Sequence, residues 1–204
     1  MRKILTLVLT MCFCAGFASC GNNIDEQTAF KGYASDRYCS KSKESDSAIF
    51  LSLQPDGSVE GQEYFYNPDE SSPDYEYGTI YGNLFNFKLS KLKKIDEYTY
   101  SAIVGNITYE YEPGTEEIDN VSTDDGNGGV VSHVVRNFYT APLKEDKNKK
   151  VIIILPNTLI GNIPENCYTY LEAFGFSTED KTMPLDTIVL YFEATGEAFV
   201  MLPN

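Results

Sequence analysis

The chain has 204 residues, enough for one domain of ordinary size with a substantial core, and its 30 acidic side chains against 16 basic ones give a formal charge of −14. A surface of that sign repels nucleic acid and disfavours anionic headgroups. One histidine and five cysteines, none of them in a C-x-x-C spacing, carry no multi-histidine or zinc-cluster signature.

The first element is Met1–Cys20, MRKILTLVLTMCFCAGFASC. Arg2 and Lys3 form a charged n-region, Ile4 to Phe17 form an apolar h-region too short to span a bilayer, and the small residues Ala18 and Ser19 lead into Cys20. Phe17-Ala18-Ser19-Cys20 resembles the lipobox of bacterial lipoproteins, with Phe in the place usually held by a branched aliphatic residue. That resemblance implies residues 1–19 as a signal peptide, a diacylglyceryl group on the Cys20 thiol, and palmitate-type acylation of the new N-terminus. Each buried methylene contributes about 0.8 kcal/mol, so several chains hold a protein on a membrane permanently. Loss of Arg2 and Lys3 with the signal takes the charge from −14 to −16.

Residues 20–27 form a polar tether, and 28–204 read as a single β-rich domain. AIFLSL (48–53) is a strand, Pro55-Asp56-Gly57 is turn chemistry, and Val59 to Tyr66 returns as the hairpin partner. Asn67 to Glu76 is a polar loop with two prolines. Phe85, Phe87 and Leu89 alternate with Asn86 and Lys88, and Tyr98, Tyr100, Ala102 and Val104 alternate in the same way, the mark of half-buried strands. Beyond Gly105-Asn106 the apolar phase flips to Ile107, Tyr109 and Tyr111. The flip requires a bulge or a Gly-Asn hairpin turn, and the spacing favours the bulge. Glu112 to Gly129 is expected to be a long acidic, Gly-rich loop. Further strands are predicted at Val130–Tyr139, Lys150–Leu155, Thr187–Phe192 and Glu197–Leu202. A single late helix begins at Pro164-Glu165, carries Tyr168, Leu171 and Phe174 at helical spacing, and stops at Gly175. Many short strands and one helix predict a mainly β fold, an antiparallel β-barrel or a sandwich.

Phe30-Lys31-Gly32-Tyr33 resembles the F-x-G-x-W/Y opening of calycin-type barrels such as lipocalins, with Tyr in place of Trp. The stretches 92–101, 109–117 and 183–191 are similar to segments of uncharacterised bacterial lipoproteins. The resemblance implies a secreted, lipocalin-like β-domain and assigns no chemistry.

Candidate chemistry is sparse. His133 lies between Ser132 and Val134 in a β-patterned run without a G-x-S-x-G sequence, which reads as an ordinary strand histidine. Asp124-Asp125-Gly126-Asn127-Gly128 suggests calcium but departs from the EF-hand pattern, so a solvated loop is expected. Cys39 and Cys167 remain in the folded region. They form either one disulfide, which would stabilise by about 4–5 kcal/mol in the chain-entropy model, or two separate buried thiols. The tyrosines of Tyr64-Phe65-Tyr66, with Tyr75, Tyr77 and Tyr81, could stack on sugars or apolar ligands, but barrel-filling tyrosines are expected. Asp46-Ser47-Ala48 and Asp186-Thr187-Ile188 resemble the O-glycosylation triplet of exported proteins in one group of gut Gram-negative bacteria.

These readings predict a monomeric, non-enzymatic lipoprotein of the cell envelope, on the outer membrane, attached through lipid on Cys20 and without cofactor or metal. Its partner would be a small apolar or sugar ligand, or an envelope protein, and not nucleic acid. A structural or protein-interaction lipoprotein without a ligand cavity is the second expectation, and a carboxylate-using hydrolase the third.

Overall fold

The computed structural model describes residues 28–41, 47–71 and 76–203. Cys20, the signal segment and the tether lie outside the described residues. Eleven strands of the described residues form one sheet: β1 (Ser35–Ser40), β2 (Ala48–Leu53), β3 (Ser58–Asn67), β4 (Thr79–Lys94), β5 (Thr99–Val104), β6 (Thr108–Tyr109), β7 (Glu116–Asp124), β8 (Val130–Phe138), β9 (Lys150–Ile154), β10 (Val189–Phe192) and β11 (Ala198–Met201). Eight of them close into an antiparallel barrel in the order β1-β2-β3-β4-β5-β9-β10-β11, with β11 pairing back onto β1. Among the described residues one short α-helix, α1 (Tyr168–Ala173), follows a 3-10 turn at Glu165–Cys167, and Gly175 at φ 86° ends the segment, a left-handed stop that glycine takes without strain.

The period-2 patterns dictate the interior. Phe85, Phe87 and Leu89 of β4 point inward, joined by Leu51, Leu53, Val59, Val104, Ile153, Leu190, Phe192 and Phe199, all buried. Tyr38 of β1, fully buried, donates its hydroxyl to the Tyr33 carbonyl at 2.6 Å. Gly61 lets the Phe85 ring lie against β3, since a Cβ there would meet the ring at 2.2 Å. The barrel is thus filled with side chains. A second core lies outside it, where Ile160, Ile163, Cys167 and Leu171 cover Ile154, Val189, Ala198 and Val200. The Phe30-Lys31-Gly32-Tyr33 turn caps one end of the barrel. Phe30 is buried with its N–H on the Pro55 carbonyl at 2.9 Å, and the Tyr33 ring packs on Tyr100 at 5.4 Å.

One expectation is corrected, and β1 and the full length of β4 escape the sequence pattern. Residues 116–124 are not loop: they form β7, paired through nine positions with β8. Every residue of β7 is exposed, so no hydrophobic alternation marks it. β1 carried no clear strand pattern because both of its faces are buried toward its end. β4 extends well beyond the Phe85–Leu89 alternation, since its first residues pair with the end of β3 and, in parallel, with β8 at Arg136–Phe138. The phase flip after Val104 is a bulge. β5 and β6 run along the same side of β4, with Leu89 opposite Val104 and Asn86 opposite Thr108, one extra residue on the β5–β6 side.

Candidate functional site

At the end of the barrel opposite the Phe30 cap, β4 has β3 on one side and the chain after β6 and β8 on the other. Between them runs an open groove of about 250 Å³ on the outside of the barrel, walled by Tyr64 and Leu84 and, across Gly82, by Tyr111, Asn137 and Tyr139. Gly82 forms its floor because β3 passes too close for a side chain: a Cβ would lie 2.5 Å from the Glu63 carbonyl oxygen.

The tyrosine wall is a stacked pair. The Tyr111 and Tyr139 rings lie 4.2 Å apart and 9° from parallel. The Tyr139 hydroxyl donates to Glu117 Oε2 at 3.0 Å, and desolvation together with that carboxylate pushes its pKa up to about 12, so it stays a neutral phenol. Beside it, Asn137 Nδ2 donates to Asp119 Oδ2. β7 therefore supplies the polar partners that orient this wall.

Buried Asn83 fixes the wall to β4. Its Nδ2 donates to the carbonyls of Tyr111 (2.9 Å) and Thr140 (3.0 Å), and its Oδ1 accepts the Tyr111 N–H at 3.3 Å. Thr140 Oγ1 donates to Glu63 Oε2 on β3. Beneath the groove, Phe65, Tyr81 and Phe138 form a cross-strand ladder with ring centroids 5.2 and 5.3 Å apart. Asn83, Tyr111 and Tyr139 line the groove, and no sequence motif singles them out. A polar residue at an inward position of β4, in phase with Phe85, was the available signal for Asn83.

Tyr64 and Tyr66 do not fill the barrel. They are 49% and 39% exposed, because register puts Gly61 and Glu63 inward and turns the even-numbered residues of β3 to solvent. Tyr75 lies outside the described residues. Tyr77 packs edge-on against His133 at 3.7 Å and its hydroxyl lies 2.8 Å from Nε2, while Glu76 Oε2 is 3.3 Å from Nδ1. His133 thus clasps residues 76–77 to the β7–β8 hairpin, and the neighbouring Ser132 hydroxyl meets Ser122 instead.

Asp125 Oδ1 accepts the N–H groups of Asn127 and Gly129 at 2.8 Å each, and Asp124 Oδ1 accepts that of Gly126 at 2.9 Å. These carboxylates close the β7–β8 turn. Among the described residues no group of three metal-ligating side chains converges. Cys39 and Cys167 are free, buried thiols, and burial pushes them up to about 11 and about 12. The Thr187 hydroxyl is buried and donates to the Met201 carbonyl at 2.6 Å, so the second glycosylation triplet is not presented to solvent; Asp46 of the first lies outside the described residues. Asp146 is wholly buried with Oδ1 on the Ala194 and Thr195 N–H groups. Glu197 accepts from Ser40 and Tyr170, and desolvation raises the pKa of both carboxyls.

No described helix is long and apolar enough to cross a membrane. Comparison of the chain with protein-family models, with curated proteins and with solved structures gave no match.

Proposed function

We propose that this chain is a lipid-anchored, non-catalytic binding module of the cell envelope, on the outer membrane, whose site is the outer groove and whose ligand is a sugar. The observation that carries the reading is the Tyr111–Tyr139 stack facing Tyr64 across a glycine floor. A sugar ring has an apolar C–H face and a hydroxyl rim, so it suits flat aromatic walls bordered by amides and carboxylates. Gln62 and Asn137 line the same groove. The filled barrel also favours an external site, because the volume that a hollow barrel would offer is taken by Phe85, Phe87 and Phe192. The anchor rests on the Met1–Cys20 pattern alone.

Calorimetric titration with a panel of neutral oligosaccharides tests the ligand class. At least one should bind, and Tyr111→Ala should weaken it roughly three- to tenfold, the equivalent of ~0.5–1.5 kcal/mol for one aromatic contact. Binding that is indifferent to Tyr111→Ala in a folded protein would remove the groove as the site. The second reading, a protein-interaction lipoprotein, draws support from β7, an exposed strand whose outer edge pairs with no other described strand.

A further inference from the structure

The capped end of the barrel differs in chemistry from the rest of this acidic molecule. Lys88, Lys91, Lys93 and Lys94 fall within seven residues that contain no acid, and the last three are exposed at the end of β4. Lys88 pairs with Asp56 at 3.4 Å. The β4–β5 turn then presents Ile95 and Tyr98, 53% and 37% exposed. Leu159, 43% exposed, borders the same cleft as Tyr98, and an Ile160 N–H bond to the Met183 carbonyl at 2.9 Å brings in Met183, 53% exposed. Asp96 and Glu97 share the turn, where Asp96 Oδ1 accepts the Tyr98 N–H at 2.9 Å. The lysines of β4 therefore form the cationic side of an apolar tip.

The described chain begins at this same end. Thr28 to Tyr33 pack under the β2–β3 turn and against Tyr100, which is paired with Lys94 in the β4–β5 ladder. The seven residues Gly21–Gln27 separate Thr28 from Cys20 and can reach at most roughly 25 Å. Lipid on Cys20 would hold this end of the barrel, and not the groove end, beside the bilayer.

We propose that this tip docks on the anionic bilayer surface, with Ile95 and Tyr98 at headgroup level and Lys91, Lys93 and Lys94 against acidic phosphodiesters. The inference rests on the lipid-anchor reading above. Amphipathic tyrosine and long lysine side chains suit the interface, and cations near it gain from its negative potential despite a charge that goes from −14 to −16 when Arg2 and Lys3 leave with the signal. The barrel then stands on its capped end. β8 joins the sheet at the start of β4, so the groove and the β7–β8 hairpin face away from the membrane.

The chain contains no tryptophan, so a single introduced one reports without background. Full-length protein carrying Ile95→Trp, recovered in its processed form, is reconstituted into phosphatidylethanolamine/phosphatidylglycerol vesicles, with Val130→Trp on the hairpin as the distant control. Ile95→Trp emission should shift to the blue and be quenched at least about twofold by brominated lipid, while Val130→Trp is not. Lys93→Gln/Lys94→Gln should reduce the Ile95→Trp quenching, as should replacing phosphatidylglycerol with phosphatidylcholine. Protein that floats with vesicles while Ile95→Trp stays unquenched overturns the docking but leaves the anchor intact, and frees the tip for a protein partner. Protein that fails to float overturns the anchor and the docking together.

Discussion

Asn83 and Tyr111 are joined in both directions: the Asn83 amide donates to the Tyr111 carbonyl at 2.9 Å, and its oxygen accepts the Tyr111 N–H at 3.3 Å. A side chain buried in β4 thereby does the work of a missing strand, since β6 pairs with β4 for only two residues before the chain turns away. The Tyr111 ring is held against Tyr139 because its backbone is held by Asn83.

Asn83→Leu keeps the branched outline of the side chain but not its polarity, so it removes those bonds at a buried position and leaves the Tyr111 and Thr140 backbone groups without their Asn83 partner. The expected loss of stability is about 2–4 kcal/mol, read as a lower thermal midpoint, with sugar affinity falling alongside it. An unchanged midpoint would show that water replaces the amide without cost.

Gly61→Ala places a methyl 2.2 Å from the Phe85 ring and should cost about 1–3 kcal/mol. Phe85→Leu in the same chain should recover part of it, so that the double variant is more stable than the sum of the single losses predicts. Strict additivity in denaturant melts would contradict the contact.

The buried thiols Cys39 and Cys167, raised to about 11 and about 12, hold almost no thiolate at neutral pH. Maleimide should leave both unmodified in the native protein and label both after unfolding without reductant. Faster migration of untreated protein on non-reducing gels, abolished by reduction, would instead reveal a disulfide.

Glu197 is desolvated, and its folded pKa lies above the ordinary carboxyl value of 4.5. The folded state binds its proton more tightly, so the associated stability is full below that value and is lost as pH rises through the folded pKa. Asp146 acts in the same direction. The exposed carboxyls Asp56, Asp125 and Asp180, lowered by hydrogen bonds to nearby Ser, Asn and Thr groups, act in the opposite sense. Glu197→Gln keeps an acceptor for Ser40 and offers a donor to Tyr170. Its midpoint should gain on the wild type as pH is raised from about 4.5 toward neutrality. A constant difference across that window would contradict a raised pKa.

The barrel was legible wherever one face of a strand is buried. Phe85-x-Phe87-x-Leu89 declares its inward face in sequence, AIFLSL declares a strand but not its face, since Phe50 turns outward, and Gly105-Asn106 marked a change of phase that the structure resolves as a bulge. β7 was illegible because Glu116 to Asp124 bury nothing: its order comes from backbone pairing with β8 and from carboxylates that close the turn. The groove was hidden for a related reason. Tyr64, Gly82, Tyr111 and Tyr139 come from segments brought together only by closure of the sheet, and the Tyr64 ring turns outward because Gly61 fixes the register of β3 against Phe85.

The proposed ligand binds outside a filled barrel. Backbone-amide NMR during titration with a binding oligosaccharide tests it most directly. Shifts should concentrate at Tyr64, Gly82, Tyr111 and Tyr139, with the amides of Phe87, Ile153 and Phe199 unmoved. Shifts centred on those core strands, with the groove silent, would place the ligand inside the barrel and contradict it.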